Sequence, residues 1–287
     1  MVLAAVLMMV SCGDANRQYV RKAVRIMDKQ GIWTTDSLWQ KEYHSALKAR
    51  PATREEAQDI VRAAARIAGG KHSFLKLAGN VVADATSEWP APEVKLAADG
   101  IPLISLPPFS GNREEGIKYA TTVLSAIPDD IPGVVIDLRG NTGGNMYPMI
   151  AAVHRFLPND DGTLRFRTRK KTQWIPLAYA VQASGIPQKS RIECPVAILT
   201  DSLTASSGEA TLICFRGLDY VRVFGSPTAG YASANQPFPL PGGDQLVLTT
   251  GCDVARTGEV FCDDLIAPDV QTDTPLDAAL AWIQSYP

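Results

Sequence analysis

The sequence predicts an α/β protein, a core built on a largely parallel sheet, preceded by a small N-terminal helical bundle. Three observations carry that expectation. From about residue 100 onward, short β-branched apolar runs punctuated by Gly and Pro alternate with stretches of helical periodicity, as strands joined by crossover helices do. Between residues 17 and 70, apolar residues recur at three- and four-residue spacing with charges on the other face. The 287 residues are 46% hydrophobic and 20% charged, enough for one large core or a core with a smaller partner domain.

In chain order, Tyr19, Ala23, Ile26 and Met27 mark the buried face of a first helix. Thr34-Thr35-Asp36-Ser37 is a turn and N-cap cluster opening a second, over residues 38–49. Thr53 and Glu56 carry a capping-box signature, starting a third helix that runs through Ile67 and stops at Gly69-Gly70. Glu88-Trp89-Pro90-Ala91-Pro92 reads as a junction. The chain thus divides into 1–16, a leader and linker; 17–92, a helical domain; and 93–287, the α/β core. In the core, strands are expected at 100–106, 133–138, 195–200, 220–224 and 245–250, where the apolar runs are too short for buried helices. Helices are expected at 114–127, 146–156, 207–217 and 276–283. Residues 165–190 read as an insertion or a strand pair.

Residues 1–12 are apolar almost throughout and too short to span a bilayer as a helix. With the polar Gly13-Asp14-Ala15-Asn16 directly behind them, they read as the apolar region of an export signal. Val10-Ser11-Cys12 resembles the end of a bacterial lipobox, which implies a lipid anchor at Cys12 and an extracytoplasmic, membrane-associated protein. The competing reading is an ordinary buried first helix. Cys252 and Cys262 flank a hairpin-like stretch that a disulfide could close outside the cytoplasm. Cys194 and Cys214 sit in apolar runs and read as small buried hydrophobes. The net charge of −2, without a basic run interleaved with aromatics, gives no electrostatic footprint for nucleic acid and argues against a polyanionic partner; no nucleic acid is expected. No cofactor or metal is expected, because His44, His72 and His154 are well separated and no close cysteine pair exists.

The chemistry-bearing residues fall in three places. Leu203-Thr204-Ala205-Ser206-Ser207-Gly208-Glu209 follows a buried-strand run and precedes an apolar helix. A serine at such a turn can attack a carbonyl while the helix N-terminus stabilises the developing anion. Taken alone, the same residues also make an ordinary capping box. Asp137-Leu138-Arg139-Gly140-Asn141-Thr142-Gly143-Gly144-Asn145 follows another strand, and its paired glycines let backbone N–H groups approach a ligand. It lacks the Gly-Lys-Ser/Thr of a phosphate loop, so an oxyanion-binding turn fits better than a nucleotide site. His72 lies in a loop between a helix stop and an apolar run, where it is free to be aimed at a site. His44 and His154 lie within helical stretches and read as structural or solvated.

Together, Lys71-His72-Ser73-Phe74, the Asp137 to Asn145 turn and Thr204-Ala205-Ser206-Ser207-Gly208-Glu209 resemble the tail-specific, C-terminal processing serine peptidases that include the tricorn core protease. Within them the chain most resembles the nisin resistance group, over nearly its whole length from residue 17. That resemblance implies a crotonase/ClpP-like ββα core, without a PDZ domain. It implies Ser206 as nucleophile, and an oxyanion hole from the N–H of Ser207 with that of Gly143 or Gly144. Many relatives use a lysine base, but the corresponding place here, Ser226-Pro227-Thr228-Ala229-Gly230-Tyr231, has none. The departure favours His72 as base. Glu209, Asn141 or an acid among Glu259, Asp263 and Asp264 would orient the imidazole or the loop. The implied activity is a serine endopeptidase acting near C-terminal tails, with nisin-like lantibiotics among the implied substrates. Two alternatives stand beside it: a catalytically silent peptide- or lipopeptide-binding relative, and an acyl-chain enzyme on a crotonase-like scaffold.

Overall fold

The computed structural model describes residues 2–79, 89–160 and 162–287, with the side chains of 2–12 and 98 outside that description. The expected junction at 88–92 therefore falls partly outside it, as does the Cys12 side chain. The chain opens with three helices, α1 (Val2–Gln30), α2 (Ser37–Lys48) and α3 (Arg54–Gly69). Strands β1 (Phe74–Lys76), β2 (Glu93–Leu96) and β3 (Pro102–Ser105) follow, then α4 (Arg113–Ala126), β4 (Val134–Asp137) and α5 (Met146–Val153). Next come β5 (Leu164–Thr168), β6 (Thr172–Ile175), α6 (Leu177–Ala183), β7 (Val196–Thr200), α7 (Ser207–Phe215) and β8 (Val221–Gly225). The chain closes with β9 (Ser233–Pro239), β10 (Gln245–Val254), β11 (Val260–Phe261), β12 (Val270–Gln271) and α8 (Pro275–Gln284).

These elements fall into two compact units, each discontinuous in sequence. The first comprises Met1–Thr86, Thr168–Lys171 and Ser233–Cys252. Its helices start where side chains satisfy their orphan N–H groups: Asp36 Oδ1 accepts from Trp39 N at 2.8 Å, and Thr53 Oγ1 from Glu56 N at 3.1 Å. The core joins Tyr19, Ala23, Met27, Trp39, Val61 and Ala65 to Leu240, Leu246 and Leu248. The helices therefore bury their apolar stripes partly on strands that the sequence places some 170 residues later. β10 pairs antiparallel with β1 and β9 and is longer than the expected strand, with a register shift between Thr249 and Gly251.

The second unit comprises Ser87–Arg167, Thr172–Ala232 and Asp253–Pro287. Its sheet has the order β12-β8-β7-β4-β3-β2, parallel except for the β2–β3 pair. The central strands are buried on both faces, as parallel sheets require: Val134, Val135, Ile136, Val196, Ala197, Ile198 and Leu199 are all inaccessible to solvent. One face packs on α4, α5 and α7, the other on α8. The α/β core with a largely parallel sheet matches the expectation. The stretch at 165–190 is a strand pair, β5 antiparallel to β6, followed by α6. Cys252 and Cys262 are disulfide-bonded, while Cys194 and Cys214 are free and buried.

Candidate active site

In the second unit, the parallel strands β4 and β7 deliver two turns to the same end of the sheet. Their carboxyl ends are where open α/β sheets bind ligands. After β7 the chain turns sharply into α7, and Ser206 sits at the turn with φ 52° and ψ −115°. That region is close to glycine-only, and a residue held there stores roughly 1–3 kcal/mol of strain. The surroundings over-determine it. Glu209 Oε2 accepts the Ser206 N–H at 2.9 Å, Ala205 N donates to Asn141 O at 2.8 Å, and Ala229 N donates to Thr204 O at 2.9 Å.

Glu209 is fully buried and ties this turn to a second segment. Besides Ser206 N–H it accepts from the Thr228 hydroxyl, from Gly230 N at 2.9 Å and from Tyr231 N at 2.7 Å. Burial pushes its carboxyl above the ordinary range, and these four hydrogen bonds pull it back only in part. These bonds join the Ser206 turn to the 228–231 segment.

The glycine turn after β4 packs directly on Ser206. A Cβ on Gly143 would stand 2.7 Å from Ser206 Cβ, and one on Gly144 would stand 2.0 Å from Phe109 O. Both glycines also have positive φ, 102° and 121°, so no other residue fits at either position. Asn141 is fully buried and fixes the turn: its Nδ2 donates to Leu106 O at 2.8 Å, and its Oδ1 accepts Gly143 N–H at 2.9 Å. The Gly143 amide is thus engaged inside the turn. Gly144 is exposed, and its carbonyl accepts the Ser207 hydroxyl at 2.7 Å. Ser207 opens α7, so its own N–H is one of the orphan donors of a helix N-terminus. Within this unit the structure brings together Ser206, Ser207, Gly143, Gly144, Asn141 and Glu209.

Asp201 escaped the sequence reading. Its carboxylate accepts Gly140 N at 3.1 Å and Leu203 N and Thr204 N at 3.0 Å, locking the two turns together. Its position in Thr200-Asp201-Ser202 looks like ordinary turn chemistry. Of the other acids considered, Glu259 pairs with Arg216 at 3.0 Å.

In the first unit, His72 lies in the loop between α3 and β1. Gly70 ends α3 with φ 73°, and hydrogen bonds staple the loop to the neighbouring strands. Asn235 Nδ2 donates to His72 O at 2.9 Å, and Thr249 N donates to the buried Ser73 Oγ at 2.9 Å. The imidazole Nδ1 meets Ser233 Oγ at 2.8 Å. Burial, helped by the Lys71 charge, lowers its pKa to about 4, so the ring is neutral across the physiological range. Ser233 gave no signal in the sequence, since it lies 161 residues away at the start of β9. Of the other two histidines, His44 is exposed on α2, its Nδ1 on Gln40 O, and His154 is buried, its Nε2 accepting Lys189 N at 2.9 Å.

Comparison with known proteins gives this geometry its family. The chain is 31% identical over 280 residues to the nisin-resistance protein of Lactococcus lactis subsp. lactis, covering 94% of this chain and 87% of the relative. A solved lipoprotein from Streptococcus agalactiae superposes with a TM-score of 0.83 at 30% identity, over 94% of this chain and 96% of that one. The photosystem II D1 C-terminal processing protease shares the fold, with a TM-score of 0.66 at 13% identity over 95% and 98% of the two chains. Residues 100–272 match the model of peptidase family S41. With a strained serine at a helix N-terminus facing a glycine turn, the chain belongs to that family and is a serine-type peptidase.

Proposed function

We propose that this peptidase hydrolyses amide bonds near the C-terminal tails of peptides outside the cytoplasm, through an acyl-enzyme on Ser206 with His72 as general base. One observation carries the reading: the strained backbone at Ser206, φ 52° and ψ −115°, pressed against Gly143. Such a turn exposes a side-chain oxygen and places the next residue's N–H beside it. In the attack step, the Ser206 hydroxyl loses its proton to the imidazole as its oxygen bonds to the substrate carbonyl carbon. The resulting oxyanion is held by the Ser207 and Gly144 amides, and the imidazolium returns the proton to the leaving amine. Water activated by the same ring then releases the acyl group. Gly144 is favoured over Gly143 as second donor because Asn141 already occupies the Gly143 N–H. Each oxyanion donor is worth about 10²–10³ in rate.

The Nδ1 contact with Ser233 supports the base assignment, since a ring donating there keeps an acceptor at Nε2. An envelope location draws support from the nisin-resistance relative, the lipoprotein neighbour and the disulfide-bonded cysteines. Among the described residues no helix is long and apolar enough to cross a membrane, and attachment would fall to lipid at Cys12. Lantibiotics of the nisin type are the substrate class that the relative's name brings forward.

Mass spectrometry of a peptide library and nisin, incubated with wild type and Ser206→Ala, tests this. Wild type shortens peptides near the C-terminus, and Ser206→Ala loses at least about 10⁴-fold in kcat. Ser207→Ala loses only about tenfold, because its N–H remains and only the bond to Gly144 O disappears. Turnover surviving in Ser206→Ala overturns the acyl-enzyme and favours crotonase-like oxyanion chemistry. Failure of wild type to react with a fluorophosphonate, together with tight peptide binding, makes the chain a silent binder. The acid limb of kcat/KM should lie well below pH 6.5, since a base lowered to about 4 stays deprotonated in mild acid.

A further inference from the structure

We propose that the outer face of α1 is a docking surface for anionic phospholipid headgroups. On a helix advancing 100° per residue, Arg21, Lys22, Arg25 and Lys29 fall within an arc of about 100°. The buried residues Tyr19, Val20, Ala23 and Met27 occupy the opposite side, so the basic stripe faces away from the helical core. Among the described residues none of these four cations, nor Arg17 beside them, is ion-paired. The Nε atoms of Arg17 and Arg21 have no acceptor although they are screened from solvent. A net charge of −2 conceals this separation of charge.

The stripe also borders a groove of about 660 Å³, whose apolar wall is Ile26 and Phe238. Unpaired donors around an apolar floor suit a ligand that is anionic at one end and hydrocarbon at the other. The same helix continues toward its N-terminus through residues 2–12, which contain no charged residue; whether that run is kept or is replaced by a lipid at Cys12, the basic stripe follows an apolar anchor. Basic residues following an apolar run are the arrangement that holds a segment against an anionic bilayer. From Arg21 to Lys29 the stripe is about 12 Å long, longer than the Debye length of about 8 Å at physiological salt. All four charges act together only if α1 lies along the surface rather than standing on it.

Co-sedimentation of the full chain with vesicles tests this, comparing pure phosphatidylcholine with vesicles containing about 30% phosphatidylglycerol. Binding to the anionic vesicles should be at least tenfold tighter at 0.1 M NaCl and fall steeply by 0.5 M. Removing two charges in Arg21→Gln/Arg25→Gln should weaken it about 25-fold, from about fivefold per cation near the surface. Lys22→Gln/Lys29→Gln should do the same, whereas Lys41→Gln/Lys48→Gln on α2 should leave it unchanged. Equal binding to both vesicle types, or no loss in either stripe variant, overturns the proposal. Displacement by 10 mM inorganic phosphate would mean a discrete phosphate pocket instead, and tighter binding of a DNA oligonucleotide a nucleic-acid surface; either result also overturns it. Peptidase activity on soluble peptides enters none of these readouts.

Discussion

Each unit of the molecule is organised around a buried carboxylate, and the two carboxylates respond to burial in opposite ways. In the first unit, Asp244 Oδ2 accepts from the Tyr19 hydroxyl at 2.7 Å and from Arg54 and Gln58 at 3.0 Å, while Oδ1 accepts Ala78 N at 2.9 Å. Burial raises its pKa, but Ala78 N–H, Tyr19, Gln58 and Arg54 together outweigh that and leave it below the ordinary range. Glu209, in the second unit, also receives four hydrogen bonds, all from neutral donors, and burial wins. Equal numbers of hydrogen bonds therefore do not give equal electrostatics. Asp244 has a guanidinium among its donors; Glu209 has none and lies beneath the Ser206 turn. The first anchors a fold, and the second holds a strained serine in a site where burial disfavours its charged form.

Breaking the second hub should have the larger effect. In Glu209→Gln the amide nitrogen replaces an acceptor, leaving at least one of Ser206, Gly230 and Tyr231 N–H without a partner. Each buried orphan costs about 1–3 kcal/mol, and here the loss falls on the backbone that keeps Ser206 at φ 52°. The expected outcome is a drop of about 10²–10³ in kcat with a smaller change in KM, measured by steady-state kinetics on a cleaved peptide. A variant with wild-type kcat would show that Ser206 holds its conformation without this carboxylate.

Asp244→Ala should do the reverse, with a loss of about 3 kcal/mol in stability and kcat largely preserved below the melting transition. The pH dependence separates the hubs further. A carboxyl lowered in the folded state gives stability that is present above its unfolded pKa and disappears as pH falls through the folded one. The Asp244 contribution should therefore be complete at pH 5 and fade only below about 4. Glu209, raised on folding, has the opposite sign: its contribution is most favourable below the unfolded value and declines as pH rises. Chemical denaturation of wild type, Asp244→Ala and Glu209→Gln between about pH 2 and 8 reads both slopes, the first below pH 4 and the second above it.

The two hubs also differ in how far the sequence exposed them. Glu209 was legible because it stands three residues from Ser206 in a single turn, and its capping geometry is local. The glycine pair was legible for the same reason, since positive φ and close approach leave a mark at the residue itself. Asp244 was not, because its partners Tyr19, Arg54 and Ala78 come from three distant segments. Ser233 was missed for a related cause. It begins β9, whose Pro237 and Pro239 argue against a strand when read alone, and only pairing with β10 brings it to His72. β1, with three residues, is too short to display any period. The parallel strands of the second unit stood out because burial on both faces demands uninterrupted apolar runs.

Asp253 offers the finest test of the comparison, as a carboxyl that has neither hub's compensation. It is buried with Oδ1 lacking any hydrogen-bond partner, and burial, with Glu209 adding repulsion, pushes its pKa well above the ordinary range. Above about pH 4 the unfolded chain releases this proton while the folded chain retains it. Stability is therefore lost as pH rises, until the folded carboxyl itself titrates. Asparagine has nearly the same shape as the protonated acid but no proton to lose. Asp253→Asn should thus melt about 2–4 °C higher than wild type at pH 7, the shift expected of roughly 1 kcal/mol in a domain of this size, and the gap should close toward pH 4. A constant gap at every pH would assign the difference to packing instead. A lower melting temperature at pH 7 would mean that the charged form of Asp253 has a partner in the folded protein.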